Sequence, residues 1–289
     1  MPTLAEAVGA AAARLERAGV AEARRDAQVL LCHALGCGRE VVACHGDRAL
    51  APDEGARFET LVARRARREP VAYLTGRREF WSLDFVVTPA TLAPRPDSET
   101  VIEAVLARLA DHARAWRVLD LGTGTGCLLL ALLSELPAAT GVGVDRSVAA
   151  ARVARLNAAR LGLGARAAFL AGDWTAALAG RFDVVVANPP YVRTGELAGL
   201  EPEVAAFEPR GALDGGTDGL DAYRALLPGL ARNLRPEGLV VLEVGHDQAR
   251  DVAALAAVLA PELDLAAIVA DLAGRDRCVA LRLGGAANL

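Results

Sequence analysis

Two patterns of apolar and polar positions divide the chain into two parts. In the first part, apolar residues recur at the spacing of amphipathic helices, and Gly19 and Gly36 stand where two of these helices should end. The predicted helices cover residues 3–17, 22–35 and 53–68, the last with Asp53 as its N-cap. Because no strand-like run interrupts them, residues 1–73 are predicted to form a small helical domain.

Residues 74–96 follow neither pattern for long. Two short β-like pieces, residues 77–81 and 83–88, lie in a proline-containing stretch, which predicts a hairpin followed by a linker. After the linker, Asp97 or Ser98 is expected to cap a helix that runs to about residue 110.

In the second part, strand-like and helix-like runs alternate. Strands are predicted at residues 116–121, 140–145, 166–171, 182–187, 238–244, 264–270 and 276–283, and helices at residues 127–136, 147–161, 218–234 and 247–260. This alternation predicts an α/β fold with a mostly parallel, seven-stranded Rossmann-like sheet covered by helices. The link of residues 271–275 is too short for a crossover helix, so the final strand should be antiparallel to its neighbour.

Composition and charge exclude some classes of protein. The 289 residues carry a formal net charge of −4, which argues against a protein that grips long nucleic acid by its phosphates. No apolar run approaches the roughly 18 residues that span a bilayer. The N-terminal segment, with Glu6 early, is interpreted as an amphipathic helix and not as a signal peptide. Five cysteines without a CxxC spacing fit a reducing compartment, so a cytoplasmic location is expected.

Several polar residues have both a structural and a functional interpretation. The four arginines within residues 64–68 form either a solvated helix face or a docking surface for an acidic partner. Cysteines and histidines crowd residues 32–45, but their spacing matches no standard zinc pattern, so no metal site is expected. Glu208 and Arg210 could order a loop over a substrate or lie on the surface, and Glu243 is assigned no chemistry.

A glycine-rich loop follows the first strand of the predicted sheet. Asp120 lies near the end of this strand, and Gly122-Thr123-Gly124-Thr125-Gly126 then leads into a helix, so backbone N–H groups should face a ligand. The second strand ends in Asp145, which is placed to accept hydrogen bonds from a ribose diol. The spacing is GxGxG and not the GxGxxG of dinucleotide sites, and Asp120 would attract a cationic amino group and repel a phosphate. We therefore expect S-adenosylmethionine and not NAD.

Gly172-Asp173-Trp174 follows the third strand at the same edge of the sheet. Asp173 could accept a hydrogen bond from the amine of adenine, and the indole of Trp174 could pack on its ring. A helix cap followed by a core tryptophan is the plainer interpretation. Together with the glycine loop and Asp145, the cofactor interpretation is favoured.

The tetrapeptide Asn188-Pro189-Pro190-Tyr191 follows the fourth strand. Two successive prolines end the strand and stiffen the backbone, at the edge where ligands bind in open α/β sheets. These residues are suited to bind a planar –NH2 group. The Asn188 side-chain oxygen and the Pro189 carbonyl could each accept one of its protons, and Tyr191 could pack on its plane. Taken alone, the tetrapeptide could also be a plain turn that ends a strand, although this is the less favoured interpretation.

Beyond these motifs, the sequence resembles the HemK/PrmC family over nearly its whole length. The segments that carry the resemblance are PVAYLTGRREFWSL, PATLAPRPDSE, LDLGTGTGC, NPPY, FEPRGALDGGTDGLDAYR and DLAGRDRCV. The resemblance implies an S-adenosylmethionine-dependent protein-(glutamine-N5) methyltransferase that acts on the glutamine of the Gly-Gly-Gln motif in peptide-chain release factors. It also implies a substrate-recognition domain at residues 1–73, a linker at 74–96 and a methyltransferase domain at 97–289.

The motifs and the resemblance together assign the site residues. The cofactor would be held by Asp120, Gly122, Thr123, Gly124, Thr125, Gly126, Asp145, Asp173, Trp174 and Asn188. The glutamine would be held by Asn188, Pro189, Pro190 and Tyr191, of which Asn188, Pro189 and Tyr191 would be catalytic. The chain is expected to act as a monomer on release factors, without a membrane and without a direct nucleic-acid partner.

Three other functions remain open from the sequence. Enzymes that methylate adenine or another exocyclic amine in nucleic acid share an (Asn/Asp)-Pro-Pro-aromatic motif, but the acidic composition of residues 81–289 argues against that substrate. A ribosomal-protein glutamine is a close variant of the release-factor substrate. A non-catalytic adaptor that binds translation factors is disfavoured by the complete motifs.

Overall fold

The computed structural model describes residues 1–176 and 178–284. Its helices are α1 (Leu4–Arg17), α2 (Ala23–Leu35), α3 (Arg39–Cys44), α4 (Pro52–Arg65), α5 (Val71–Thr75), α6 (Glu99–Leu106), α7 (Cys127–Glu135), α8 (Val148–Arg160), α9 (Pro202–Phe207), α10 (Asp221–Leu230) and α11 (Ala249–Leu259). Its strands are β1 (Arg77–Phe80), β2 (Leu83–Val86), β3 (Arg117–Leu121), β4 (Thr140–Asp145), β5 (Ala167–Ala171), β6 (Phe182–Ala187), β7 (Leu234–Glu243), β8 (Leu263–Ala270) and β9 (Asp276–Leu283). Within these described ranges, no helix is long and apolar enough to cross a bilayer.

The chain divides into two compact units. The first comprises Met1–Arg77 together with Glu201–Phe207, and the second comprises Arg78–Leu200 and the residues from Glu208 onward. The first unit therefore includes α9, although that helix follows both the glycine loop and the NPPY tetrapeptide in the sequence. Nothing in the apolar pattern indicated this return of the chain.

The helical unit is built around the buried faces of α1, α2 and α4. Thr3 begins α1 with a capping box, in which its hydroxyl accepts from the backbone N–H of Glu6 and its own N–H donates to the Glu6 carboxylate. The prediction that Asp53 caps the third helix is wrong. That helix begins at Pro52, with Ala51 as its N-cap, because proline suits the first helical position, where no N–H is needed.

Two arginines of the run, Arg65 and Arg68, are paired with carboxylates inside the helical unit. Arg65 is only 6% exposed and lies 2.8 Å from Asp26 and 2.7 Å from Glu203. Arg68 donates to both carboxylate oxygens of Glu203, at 2.8 and 2.6 Å. Burial raises the pKa of Glu203, but the hydrogen bonds from Arg68 and Arg65 outweigh it and hold this pKa below its usual value. For Arg65 and Arg68, both the solvated face and the docking surface are wrong interpretations.

The second unit contains a seven-stranded sheet in the order β5-β4-β3-β6-β7-β9-β8. The pairs from β5 to β7 are parallel, and β9 is antiparallel to both β7 and β8, as its short connection predicts. Apolar clusters cover the two faces of this sheet, and β6 is buried along its whole length. Such two-sided burial explains why β6 is apolar at every position except Asp183, which is paired with Arg114 and Arg235.

The register brings four chain segments to one edge of the sheet. Leu121 at the end of β3 pairs with Val144 in β4 and with Ala187 in β6, and Ala187 pairs with Leu242 in β7. Parallel strands in this register end together. The residues that follow them, from the glycine loop to the end of β7, therefore share the carboxyl edge where α/β sheets place their ligands.

Several predicted element boundaries are wrong, among them those of the helix predicted at residues 218–234, which is α10 and spans only Asp221–Leu230. Residues 96–98 form a 3-10 turn, and the helix after it ends at Leu106 and not near residue 110; neither Asp97 nor Ser98 caps it through its side chain. The strand predicted from residue 238 begins at Leu234. Pro236 and the left-handed Glu237, whose φ is 62°, interrupt its pattern, and both features are untypical of a strand interior.

Candidate active site

A cavity of about 280 Å³ lies at the carboxyl edge of the sheet in the second unit. Its volume is near the lower end of the roughly 300–1,000 Å³ typical of small-molecule sites. The predicted site residues that line it are Gly122, Thr123, Gly124, Thr125, Asp145, Asp173, Trp174, Asn188 and Pro190. Linker residues 90–95 and the turn formed by Pro209, Gly211 and Ala212 complete the wall. Four predicted residues, Asp120, Gly126, Pro189 and Tyr191, are not part of the described lining.

The glycine loop adopts a conformation that only glycine adopts without strain. Gly122, Gly124 and Gly126 all have positive φ angles, of 74°, 54° and 81°. The N–H of Gly124 donates to Oδ2 of Asp145 at 2.9 Å, and the N–H of Ser147 donates to its Oδ1 at 2.8 Å. Each carboxylate oxygen of Asp145 can accept more than one hydrogen bond. Asp145 is thus fixed by the loop and retains capacity to accept from a diol.

Asp120 lies beneath the loop and does not line the cavity. It is 1% exposed, and its Oδ2 accepts a hydrogen bond of 2.6 Å from the hydroxyl of Thr123, which does line the cavity. Its Oδ1 has no partner among the described residues. Burial raises the pKa of Asp120 to about 7. A cationic ligand beyond the loop would favour the ionised carboxylate, and Thr123 connects Asp120 to the cavity wall.

Trp174 lies against the glycine loop. Its backbone has a φ of 44°, and a Cβ built on Gly122 would lie 3.6 Å from its ring atom Cζ3. The half-buried indole therefore forms a flat wall of the cavity beside the first glycine, and Asp173 lies next to it on the exposed side. This arrangement suits the predicted packing of an adenine ring.

The NPPY tetrapeptide begins where β6 ends. The Asn188 side-chain nitrogen Nδ2 donates to the hydroxyl oxygen of Ser98 at 3.1 Å, and within residues 1–176 and 178–284 no group donates to its Oδ1. Pro189 is buried, whereas Tyr191 is half-buried and its hydroxyl lies 3.5 Å from Oε1 of Glu243. Burial raises the pKa of Tyr191, so its hydroxyl stays protonated and acts as a donor.

A glycine-rich segment packs on the backbone of the tetrapeptide. A Cβ built on Gly215 would lie 2.8 Å from the Pro190 carbonyl oxygen and from the Tyr191 Cα, so only glycine fits there. The side chain of Gln248 donates to the Tyr191 carbonyl at 3.0 Å. Neither Gln248 nor Ser98 was predicted as a site residue, because nothing in their local sequence marks a partner so distant in the chain.

Glu208 orders the turn that forms one wall of the cavity. Its buried carboxylate pairs with Arg95 at 2.6 Å, which connects this turn to the linker. Burial raises the pKa of Glu208, and the charge of Arg95 opposes the rise. Arg210, by contrast, is exposed and pairs with Asp214 at 3.1 Å. The loop-ordering interpretation thus fits Glu208, and the surface interpretation fits Arg210.

Comparison with known proteins identifies the family. Residues 6–76 match the model of the PrmC N-terminal domain, and residues 97–200 match the methyltransferase small domain. The chain is 48% identical over 278 residues to the release factor glutamine methyltransferase of Rhodospirillum rubrum, covering 96% of this chain and 84% of that one. The chain belongs to the release factor glutamine methyltransferase family. The corresponding enzyme of Moorella thermoacetica is 48% identical over 277 residues, covering 96% of this chain and 97% of that one.

Among solved structures, the Thermus thermophilus 16S rRNA N2 G1207 methyltransferase has the same fold. Its TM-score is 0.52 at 22% identity, over 72% of this chain and 50% of that one. The predictions of an α/β methyltransferase fold with a helical N-terminal domain, of the family, and of a methyltransferase that uses S-adenosylmethionine are confirmed.

The residues of this family member fit S-adenosylmethionine. Asp145 retains acceptor capacity for a ribose diol, and Trp174 offers a flat apolar wall. The buried carboxyl of Asp120, with an oxygen that has no partner in the described part of the chain, favours positive charge beyond the loop. The same negative charge would repel the phosphates of a dinucleotide.

Proposed function

We propose that this methyltransferase transfers a methyl group to the side-chain amide nitrogen of the glutamine in the Gly-Gly-Gln motif of release factors. The observation that carries the proposal is the state of Asn188. Its nitrogen donates to Ser98, and its oxygen, beside the cavity, accepts from no group in the described part of the chain. A primary amide with two N–H groups is the complement of such an acceptor.

The chemistry depends on the orientation of a poor nucleophile. The lone pair of a carboxamide nitrogen is delocalised into its carbonyl group, so the nitrogen reacts only when it is well placed. Oδ1 of Asn188 and the carbonyl of Pro189 would each accept one N–H, which raises the electron density on the nitrogen and fixes its direction. When bound, S-adenosylmethionine supplies the electrophilic methyl group. The proton leaves the cationic product nitrogen after transfer, so no strong base is required.

The remaining site residues would hold the two reactants. Gly122–Gly126, Asp145, Asp173 and Trp174 would bind the cofactor, with Asp120 acting from beneath the loop, and Pro190 and Tyr191 would complete the glutamine subsite with Asn188 and Pro189. The helical unit would contact the release factor. A monomer that acts in the cytoplasm without a nucleic-acid partner is part of the same proposal.

The test is methyl transfer from labelled S-adenosylmethionine to a purified release factor. A matched release factor whose Gly-Gly-Gln glutamine is replaced by alanine serves as the control. Label should appear on the first protein only. Labelling that survives the replacement would reject the proposal. Preferential labelling of ribosomal protein or of adenine-containing nucleic acid, offered in parallel, would favour the alternative substrates instead.

A further inference from the structure

Gln248 is a buried amide side chain beside the NPPY tetrapeptide. It is the N-cap residue of α11, in the turn that follows β7, and it is only 2% exposed. The pairing of Ala187 with Leu242 brings the end of β7 to the same edge of the sheet as the tetrapeptide. A buried amide is costly unless its polar atoms have partners, so the partners of Gln248 show what its side chain holds.

Both ends of the Gln248 amide are in use. Its Oε1 accepts from the N–H of Gly245 at 3.0 Å, within its own turn. This bond fixes the orientation of the amide, so Nε2 is directed at the Tyr191 carbonyl, to which it donates at 3.0 Å. The same nitrogen lies 3.4 Å from the carbonyl oxygen of Gly219. Gln248 therefore connects the turn after β7 with the end of the tetrapeptide.

Glycines make room for this amide. A Cβ built on Gly219 would lie 2.4 Å from Nε2 of Gln248 and 2.4 Å from the Tyr191 carbonyl oxygen. A Cβ built on Gly245 would lie 2.6 Å from Oε1 of Gln248. These distances are well inside the roughly 3.5–4.0 Å of van der Waals contact, so a side chain at either position would displace the amide. The hydrogen bond to Tyr191 thus depends on glycines from two separate segments.

The backbone of the tetrapeptide depends on donors from other segments. Its two prolines have no N–H group and cannot anchor the chain by donating. The Tyr191 carbonyl is held by Gln248, and the next residue, Val192, is held through its N–H and its carbonyl, at 2.9 and 2.8 Å, by residues 213–215. Tyr191 therefore precedes one anchored residue and is itself anchored through its carbonyl.

We propose that Gln248 is a positioning residue of the glutamine subsite, which holds the Tyr191 carbonyl and so fixes the Tyr191 ring against the plane of the substrate amide. This inference rests on the proposed function. Without the donor, the Tyr191 carbonyl can turn, and the ring turns with it. A displacement of about 1 Å at a reacting centre can lower the rate by about 10²-fold.

Cofactor binding should not depend on Gln248. The glycine loop, Asp145 and Trp174 lie at or after the ends of β3, β4 and β5, whereas Gln248 follows β7. A loss of the positioning role should therefore lower kcat and leave the affinity for the cofactor unchanged.

The test uses two replacements that share the loss of the donor and differ in charge. Gln248→Glu keeps an oxygen for the Gly245 N–H but places a carboxylate against the Tyr191 carbonyl, and Gln248→Met is uncharged. In both variants, kcat for methyl transfer to a release factor should fall by roughly 10- to 100-fold per folded molecule. The affinity for S-adenosylhomocysteine, measured by calorimetry, should stay within about twofold. A loss confined to Gln248→Glu would be an effect of its buried charge and would overturn the positioning role.

A double-mutant cycle with Tyr191→Ala tests the route of the effect. Because the ring is already absent in Tyr191→Ala, adding Gln248→Met should lower kcat by no more than about twofold further. If the two losses multiply, Gln248 does not act through the Tyr191 ring, and the proposal fails.

Asn233→Asp is the matched control. Asn233 is also a buried amide, but it donates to the carbonyls of Leu178 and Gly180 at the other edge of the sheet. Its kcat per folded molecule should equal that of wild type, and a loss equal to that of Gln248→Glu would reject a specific role for Gln248. Wild-type kcat in both Gln248 variants would overturn the positioning role while leaving the proposed function intact. A wild-type enzyme that does not label the release factor would remove both.

Discussion

The side-chain nitrogen of Asn188 donates a 3.1 Å hydrogen bond to the hydroxyl of Ser98, a residue ninety positions earlier in the chain. This contact occupies the donor end of the Asn188 amide and leaves its acceptor end beside the cavity. An isolated Asn-Pro-Pro-Tyr segment could present either end. The contact with Ser98 therefore fixes which end of the Asn188 amide is presented to the cavity.

Replacement of Asn188 by alanine should abolish most of the activity and little of the cofactor affinity. Loss of one well-placed hydrogen-bonding group at a reacting centre typically costs about 10²–10³ in kcat. The measurement is single-turnover methyl transfer, together with calorimetric binding of S-adenosylhomocysteine, which should change only a few-fold. Asn233→Ala is the control, because Asn233 is buried and donates to the carbonyls of Leu178 and Gly180 at the other edge of the sheet. Equal losses of kcat in the two variants would make the effect of Asn188→Ala merely structural.

Asp120→Asn should stabilise the protein and weaken cofactor binding. The pKa of Asp120 is raised in the folded state to about 7, above its value in the unfolded chain. The favourable contribution of its protonated form is therefore complete below roughly pH 4 and is lost as pH rises through about 7. Asparagine cannot ionise, so the melting temperature of the variant should exceed that of wild type at pH 8 and approach it only below about pH 4.

The same variant should lose affinity for S-adenosylmethionine because it removes a negative charge behind the loop. A loss of about tenfold at pH 8 corresponds to roughly 1.4 kcal/mol. Thermal unfolding with and without S-adenosylmethionine measures both the melting temperature and the cofactor affinity of the variant. If the variant bound the cofactor as tightly as wild type at pH 8, Asp120 would have no electrostatic role at the site.

Arg65→Met should destabilise the helical unit strongly. Arg65 is buried and bonds to Asp26 and Glu203, and the removal of one member of a buried ion-pair network typically costs about 3–5 kcal/mol. Arg14→Met is the matched control, because Arg14 pairs with Glu59 on the exposed surface, where such pairs contribute at most about 1 kcal/mol. Urea unfolding at pH 7 followed by circular dichroism would measure both. Similar midpoints for the two variants would contradict the structural role of the network.

Trp174→Phe should remove the fluorescence response to cofactor binding. Trp174 lines the cavity beside Gly122, whereas the indole of Trp116 donates to the carbonyl of Asp111 away from the lining residues. Titration with S-adenosylhomocysteine should therefore change the emission of wild type and of Trp116→Phe. In Trp174→Phe the signal should vanish and the affinity, measured by calorimetry, should fall a few-fold. An unaltered signal in that variant would place the cofactor away from the indole.

Several parts of the site could be predicted from the sequence because the determinants of each part are contiguous. The glycine loop and Asn188 directly follow strands, Asp145 ends one and Trp174 lies three residues after another, and parallel strands bring their carboxyl ends to one edge. Any correct assignment of the strands therefore brings these residues together. The antiparallel final strand follows in the same way from a connection of only five residues, 271–275.

Other features depend on contacts between segments that are distant in the chain. Ser98 was expected to cap a helix, yet its hydroxyl accepts from Asn188, and Glu243 had no assigned chemistry. The run of residues 64–68 has the composition of a solvated face, but Glu203 returns from α9 and pairs with Arg65 and Arg68. A local pattern contains no information about such partners.

The chain's local patterns thus specify which groups this methyltransferase brings to the sheet edge, because strand ends, turns and glycine conformations depend on neighbouring residues. The charge and the hydrogen-bonding direction of those groups depend instead on how distant segments pack. Burial beneath the loop raises the pKa of Asp120, and burial at the end of β7 raises that of Glu243. Burial and hydrogen-bond polarity are properties of the packed molecule, so the free acceptor of Asn188 exists only once the linker, β6 and β7 have come together.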